Sequence, residues 1–412
     1  MVLKVEIISK ETIKPSINLR TFKLSFLDQI TPPIPINILL FYNEDSIDNV
    51  ERSDRLKKSL SETLTRFYPF REINDNLTIQ CDDYGVHYLE TQVNCQLSTV
   101  LKHPEAEVMN QFFPSSDLLC NELGKGVQLA TQVNMFDCGG MVIGMTALHK
   151  IIDAGSLSTF INAWSRAARG TSSETLSPSF DSASLFPPME LFETTFQPMK
   201  MNPRIAALRA KASHHEHVNN PTRVESVSAL LWKCAPKVGN GAKSKSIKPS
   251  VVNVIVNFRS RMVPPLPENS FGNLIGIATT KKTSHDEAEM HYLVGNLRDA
   301  TRKIDGDYMR ELQVDGGLLR STLEAPEQFN NSEVELYTMT SWCRFPFYEV
   351  DFGWGKPIWV CTVNLLIKNG FILMDTRCGS GVEAWVTLDE HKMAEFESDL
   401  ELREFISTNQ MD

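Results

Sequence analysis

Patterns typical of strands and of amphipathic helices alternate in both halves of this chain, and this mixture limits its fold more than any other feature. In the N-terminal half, apolar residues at helical spacing predict a helix over 52–67 and another around Leu157–Trp164. Two apolar runs, 127–134 and 141–148, flank an Asp-Cys-Gly-Gly turn and predict a hairpin. Residues 76–95 predict a strand, a turn and a second strand.

The C-terminal half also mixes strand and helix patterns, after a segment of different residue composition. Residues 171–202 are rich in Ser, Thr, Pro and Phe without a clear period, which indicates a crossover between two domains. Helical spacing then predicts helices over 204–212, 222–233, 285–304 and 389–406. Strand patterns cover 251–258, 358–367, 371–375 and 384–387. The class is therefore α/β or α+β in two domains.

Length and charge narrow the possible partners. The chain has 412 residues, enough for two or three domains, with 41 Lys and Arg against 51 Asp and Glu, a net charge of −10. Binding to phosphate backbones requires clustered Lys and Arg, so we expect neither nucleic acid nor an anionic membrane as a partner. A single local basic pocket remains compatible with this charge.

The cysteines and the apolar runs indicate the compartment. The eight cysteines are scattered and contain no C-x-x-C pair, which is typical of reduced thiols and gives no zinc-ribbon spacing. The first residues, MVLKVEIISKETIKPS, lack the features of a secretory or transit peptide. The longest apolar run, near 357–367, is too short to span a membrane. We therefore expect a cytoplasmic protein without a metal.

Several motifs that suggest chemistry fail on closer reading. Asp351-Phe352-Gly353 is kinase-like, but no H-R-D or V-A-I-K accompanies it. The Gly239–Ser244 loop lacks the Walker A spacing, and no G-x-S-x-G elbow is present. The cluster His214–His217 lacks H-E-x-x-H spacing, so a solvated turn is favoured over a metal site.

One motif, at residues 149–153, does indicate a catalytic site. His149-Lys150-Ile151-Ile152-Asp153 follows an apolar strand and precedes a helix, a position where folds expose reactive side chains. A neutral imidazole at His149 could take a proton from an alcohol or amine near neutral pH, which indicates direct transfer by general-base catalysis. The alternative, which the spacing alone leaves open, is a core histidine that hydrogen-bonds Asp153.

A second motif favours the general-base reading. HKIID and, about 200 residues later, Asp351-Phe352-Gly353-Trp354-Gly355 together resemble the BAHD acyltransferase family of plants, especially the acetyltransferases of indole-alkaloid pathways. Further blocks agree over nearly the whole chain: Ser59–Ser61, Phe67–Pro69, Thr222–Glu225 with Trp232, Asn257–Arg261 with Pro264–Pro267, Gly272-Asn273, Thr340–Trp342, Asp375–Arg377 and Gly381–Trp385.

The resemblance implies a fold and a reaction. The fold would be α/β, with two similar-sized domains of the chloramphenicol-acetyltransferase type, each a mixed sheet flanked by helices, and a solvent channel between them. The domains would be 1–185, carrying the H-x-x-x-D motif, and 204–412, carrying DFGWG, with a crossover loop at 186–203. The protein would be a monomer with no permanently bound cofactor. It would transfer an acetyl group from acetyl-CoA to a hydroxyl of a plant specialised metabolite, in particular a monoterpene indole alkaloid.

The resemblance also implies roles for individual residues. His149 would be the general base, and Trp342, helped by Thr340, would donate a hydrogen bond to the oxyanion, although simple aromatic packing is the alternative for Trp342. Asp153 would pair with Arg259 and hold the His149 loop, and Asp351 would hold a second loop.

Binding of CoA would fall to a further set of residues. In addition to Arg259 and Ser341, we consider Lys243, Lys245 and Lys248 as contacts of the CoA phosphates. The alternative for these lysines is a solvent-exposed loop that binds no ligand.

The chain departs from the family pattern in a few places. Ala154 replaces the usual Gly after the motif Asp, and the family's L-A-G-R after F-Y-P is reduced to Phe70-Arg71. Neither change removes a proposed catalytic atom, but the deletion after Pro69 concerns the channel walls and hence the choice of acceptor. Two other readings therefore stay open: a malonyl or other acyl donor on the same fold, and a catalytically silent ligand-binding homologue.

Overall fold

A computed structural model describes most of the chain. The described residues are 3–16, 20–70, 77–81, 85–115, 118–119, 127–171, 176–189, 204–205, 220–237, 249–282, 289–314, 317, 334–363 and 367–405. The strands are β1 Val5–Ile13, β2 Arg20–Lys23, β3 Pro35–Tyr42, β4 Thr78–Cys81, β5 Val86–Val93, β6 Leu129–Phe136, β7 Met141–Leu148, β8 Arg204–Ile205, β9 Ser250–Asn257, β10 Ile275–Lys282, β11 Glu335–Ser341, β12 Trp359–Cys361, β13 Gly370–Asp375 and β14 Val382–Val386.

Helices alternate with these strands along the chain. They are α1 Phe26–Ile30, α2 Asn49–Arg66, α3 Leu97–Lys102, α4 Ala106–Asn110, α5 Ala154–Ala168, α6 Ser182–Leu185, α7 Arg223–Cys234, α8 Met290–Arg302, α9 Gly306–Gln313, α10 Glu390–Ser398 and α11 Leu400–Phe405. Short 3₁₀ turns lie at Ala235–Lys237, Arg259–Arg261 and Phe347–Glu349. Within the described ranges, none of the helices is both long and apolar enough to cross a membrane.

The chain divides into two compact units. Unit 1 comprises 1–196, 267–274 and 345–364, and unit 2 comprises 197–266, 275–344 and 365–412. The two predicted domains are each continuous in sequence. In the structure, by contrast, the two segments 267–274 and 345–364 of the C-terminal half belong to unit 1. One of these segments carries the DFGWG motif, because β12 pairs antiparallel with β3 immediately after it.

Unit 1 is built on a mixed six-stranded sheet in the order β1-β5-β6-β7-β3-β12. Among the described strands of this sheet, β5 and β6 are the one parallel pair, and β6 and β7 form the predicted hairpin. Helices α2 and α5 pack together, since Trp164 Nε1 donates to Leu56 O at 3.1 Å and the rings of Phe67 and Phe160 meet edge to face. The fully buried strands β6 and β7 explain the continuous apolar runs in the sequence.

Unit 2 has a second mixed sheet, in the order β10-β9-β11-β13-β14-β8. Here β11 runs parallel to both β9 and β13. Its core joins α7 and α8 to the sheet and to the C-terminal helices, through side chains such as Leu230, Leu293, Phe371 and Phe396. Each unit therefore confirms the predicted class, a mixed sheet flanked by helices.

Some predicted elements differ from the structure. The two strands within 76–95 are present, but β4 pairs with β2 and β5 pairs with β1 and β6. Residues 204–205, predicted as helical, pair with β14 as a strand. The predicted final helix is two helices, because the carboxylate of Asp399 accepts the backbone N–H groups of Glu401 and Leu402 and starts a new helix.

Candidate active site

His149 lies where the sequence places it, directly after a central strand of the unit 1 sheet. Strand β7 ends at Leu148, and the backbone N–H of His149 donates to Ile34 O at 2.8 Å, which extends the pairing of β7 with β3 by one residue. Helix α5 begins at Ala154. The fully buried strand therefore holds the backbone of His149 firmly while its ring is only partly buried.

The ring of His149 is held by a side chain amide. His149 Nδ1 lies 2.8 Å from Asn273 Oδ1. Asn273 Nδ2 donates to the backbone oxygen of His149 at 2.7 Å and to Asp28 Oδ1 at 2.9 Å. Because both hydrogens of that amide are used, its oxygen faces the ring, and Nδ1 must be the donor. The Nε2 lone pair is then the proton acceptor of the imidazole.

The surroundings keep this imidazole neutral. Burial lowers the pKa of His149 below its ordinary value, although its own carbonyl group, Asp153, Asn273 and Asp28 oppose the shift. A neutral ring with a defined tautomer is the form that can accept a proton from an alcohol. The geometry therefore suits a general base.

Asp153 has a structural position. It is 2% exposed and is the N-cap of α5, where its carboxylate accepts the N–H of Ser156 at 2.7 Å and that of Leu274 at 3.2 Å. The partner of His149 Nδ1 is Asn273 Oδ1, which accepts the hydrogen bond of the ring, and not the carboxylate of Asp153. The pairing of Asp153 with Arg259 stays a prediction.

Asp351 holds its own loop. Its Oδ1 accepts the N–H groups of Gly353 at 2.8 Å and Gly355 at 3.0 Å. Both glycines have positive φ, 109° and 94°, which other residues adopt only at a cost. The guanidinium of Arg169, the C-cap residue of α5, lies 3.6 Å from the carboxylate. These contacts tie Asp351 to the backbone of its own loop, and its role in the enzyme stays a prediction.

The remaining predicted site residues belong to unit 2. Thr340 and Ser341 end β11, and Trp342 follows with its backbone N–H donating to Leu373 O at 2.7 Å. The indole of Trp342 is 7% exposed, and Arg259 is 4% exposed at the start of a 3₁₀ turn. Lys243, Lys245 and Lys248 lie outside the described residues.

Three functional candidates escaped the sequence analysis. Asn273 and Lys150 stood in recognised blocks without a role, and Asp28 belonged to none of them. Lys150 Nζ donates to Gln29 O at 2.6 Å, and burial lowers the pKa of Lys150 to about 8. The one local signal was the capping box that starts α1, formed by Ser25 and Asp28.

Metal ligation finds no support in the described ranges. No group of three or more His, Cys, Asp or Glu side chains there is arranged to hold a metal ion. The cluster His214–His217 lies outside the described residues.

Comparison with known proteins decides the family. The sequence matches the Transferase family, known as the BAHD acyltransferases, over residues 3–203 and 193–403. The chain belongs to this family. It is an acyltransferase, as the motifs predicted.

Several BAHD relatives cover nearly the whole chain. Stemmadenine O-acetyltransferase of Catharanthus roseus is 38% identical, covering 97% of this chain and 97% of the relative. Vinorine synthase of Rauvolfia serpentina is also 38% identical, with 96% of each chain covered. The likeness to alkaloid acetyltransferases that the motifs indicated is thereby confirmed.

Solved structures give the same fold. The crystal structure of vinorine synthase matches with a TM-score of 0.83 at 35% identity, covering 99% of this chain and 100% of that one. The structure of F. graminearum TRI101 with coenzyme A and deoxynivalenol matches with a TM-score of 0.72 over 94% of this chain and 99% of the other. At 16% identity this second likeness concerns the fold alone. The predicted two-domain BAHD fold is confirmed.

Proposed function

We propose that this BAHD enzyme transfers an acetyl group from acetyl-CoA to a hydroxyl of a plant alkaloid. The names of two relatives, an O-acetyltransferase acting on stemmadenine and vinorine synthase, support the donor and the acceptor class. The observation that carries the chemistry is the hydrogen bond from His149 Nδ1 to Asn273, because it leaves Nε2 as the base. We infer further that the enzyme works as a cytoplasmic monomer, consistent with its scattered cysteines.

The proposed reaction needs no acyl-enzyme. His149 Nε2 removes the proton of the acceptor hydroxyl as its oxygen attacks the thioester carbonyl carbon of acetyl-CoA. The tetrahedral intermediate carries an oxyanion, and we assign its hydrogen-bond donors to the Trp342 indole N–H and the Thr340 hydroxyl. The carbon–sulfur bond then breaks, and the imidazolium gives its proton to the CoA thiolate. CoA is thus a co-substrate, which we expect Arg259, Ser341, Lys243, Lys245 and Lys248 to help bind.

A screen of donors against acceptors tests this function. The purified protein is incubated with acetyl-, malonyl- or aromatic acyl-CoA and a panel of alkaloid alcohols, and the products are read by mass spectrometry. We expect acetyl esters of one or more alkaloids. Malonyl or aromatic esters alone would replace the donor, and a complete lack of product would favour the silent binding protein.

The pH profile should reflect the partly buried imidazole of His149. Because the base must be unprotonated, kcat/KM rises with pH through the pKa of His149. Burial lowers that pKa, so we expect the midpoint of this rise below about 6.5, the ordinary value for histidine. A midpoint above this value, or a profile without this rise, would contradict the assignment of the base.

Removal of the indole donor should slow turnover. Trp342→Phe keeps the aromatic bulk and deletes the N–H, so we expect kcat to fall by about a hundredfold with little change in KM for acetyl-CoA. Trp385→Phe, on β14 of the same unit, is the matched control and should retain kcat. Equal rates for the wild type and Trp342→Phe would exclude Trp342 as an oxyanion donor.

A further inference from the structure

Asp28 is a fully buried carboxylate that the proposed reaction does not yet use. It lies on α1 and is 0% exposed. Oδ2 accepts the backbone N–H of Ser25 at 2.9 Å and its hydroxyl at 2.6 Å. Oδ1 accepts the backbone N–H of Asn273 at 2.9 Å and its side chain Nδ2 at 2.9 Å. All four partners are donors, so the ionised carboxylate is the form that satisfies them.

The charge of Asp28 influences the pKa values of His149 and Lys150. Burial raises the pKa of Asp28 above its ordinary value, although its hydrogen bonds with Ser25 and Asn273 oppose the shift. The negative charge of Asp28 in turn favours the protonated form of His149 and that of Lys150, the next residue after His149 in the chain. A negative charge at this point would therefore help the imidazolium that forms when His149 takes a proton.

The contacts of Asp28 also decide which way the Asn273 amide points. With Nδ2 held by Asp28 and by the His149 carbonyl, Oδ1 must face the imidazole. A flipped amide would set its NH₂ group against the Nδ1 hydrogen and its oxygen against the carboxylate. Asn273 is itself 0% exposed, so water cannot readily compensate such a flip.

We propose that Asp28 is a positioning residue of the acyl-transfer reaction, acting through Asn273 to keep the His149 proton on Nδ1 and Nε2 free. This inference rests on the proposed function for its effect on rate, while its effect on the tautomer concerns the protein alone. Asp28 would thus serve His149 as the carboxylate of a hydrolase triad serves its histidine, with an amide placed between them.

Asp28→Asn is the informative substitution because it keeps the shape and removes the charge. Whichever way the new amide points, its NH₂ group faces two donors, either those of Ser25 or those of Asn273. When it faces Asn273, the amide of Asn273 turns and offers its own NH₂ group to the imidazole. The His149 proton is then displaced towards Nε2, the atom that must act as the base.

The experiment combines kinetics with ¹⁵N NMR of the histidine rings in the full-length enzyme, with the His149 signals assigned by their loss in His149→Ala. In the wild type we expect a protonated Nδ1 and an unprotonated Nε2. In Asp28→Asn we expect kcat to fall at least about tenfold, KM for acetyl-CoA to stay near the wild-type value, and the His149 ring to change its tautomer. Ser25→Ala is the matched control. It removes the hydroxyl that caps α1 and one of the four donors to Asp28 but keeps both Asn273 contacts, so it should lower the melting temperature and change the tautomer and kcat far less than Asp28→Asn does.

The outcomes separate positioning from mere stability. An Nε2–H ring in the wild type overturns the proposal without any variant, which covers the case in which Asp28→Asn does not fold. An unchanged tautomer in both folded Asp28→Asn and folded Asp28→Ala, the second of which leaves the Asn273 amide no acceptor at this position, overturns it as well. A loss of kcat that Ser25→Ala shows in full also overturns it. A tautomer change in a protein that acylates no tested alcohol would instead support the positioning role and count against the proposed function.

Discussion

His149→Ala should lower kcat by about 10²–10⁴-fold while the protein stays folded, the range expected for the loss of a general base. The ring is only partly buried and makes one side chain hydrogen bond, to Asn273. Its removal should therefore cost about 1–2 kcal/mol of stability, which a chain of this size tolerates. The backbone of His149 would stay in place, because its N–H donates to Ile34 O in the sheet.

The matched control for this variant is another histidine of the same sheet. His87 lies on β5, is also partly buried, and pairs in register with Ala130 of the neighbouring strand. We expect His87→Ala to retain wild-type kcat in the same assay, and circular dichroism to show both variants folded. Near wild-type turnover by His149→Ala would rule out base catalysis by this residue.

Asp153→Ala should lower the free energy of unfolding by about 3 kcal/mol, because two buried backbone donors lose a charged acceptor. The N-cap of α5 contributes about 1 kcal/mol, and the buried bond to the Leu274 N–H about 1.5–3 kcal/mol. The loop that carries His149 ends at this cap. We therefore expect turnover to be lost in proportion to the unfolded fraction and to recover on cooling.

Chemical denaturation measures this effect, and Asp48→Ala is its control. Asp48 is an exposed N-cap residue of α2 whose side chain makes no capping hydrogen bond, so its loss should cost less than about 0.5 kcal/mol. If Asp153→Ala unfolded at the wild-type denaturant concentration yet lost turnover, Asp153 would have a direct chemical role instead.

The parts of the site that depend on neighbouring residues in the chain were predictable from sequence. The run of apolar residues in β7, the turn at His149 and the amphipathic α5 follow one another, so local patterns sufficed to place the histidine. Some differences between the predicted and the observed elements also have local causes, which the spacing of apolar residues does not reveal. Asp399, for example, interrupts a helical pattern by capping a second helix.

The contacts that orient the base could not be predicted in this way. Asn273 is 124 residues from His149 along the chain, and Asp28 is 245 residues from Asn273. The pairing of β12 with β3, which brings Asp351 into unit 1, likewise joins distant strands. Such contacts arise from tertiary packing, and single-sequence periodicity describes only the face that a residue occupies. The resemblance to BAHD enzymes supplied residues from both halves of the chain but no role for Asn273 or Asp28.

Direct transfer from acetyl-CoA to an alcohol is the central claim, and one combined measurement tests it. The enzyme is mixed with acetyl-CoA alone, its intact mass is recorded, and an alkaloid alcohol is then added while free CoA and ester are quantified. We predict an unchanged protein mass, CoA release only after the alcohol is added, and one CoA for each ester formed. An acetylated enzyme before the alcohol is present, or CoA release without an ester, would contradict it.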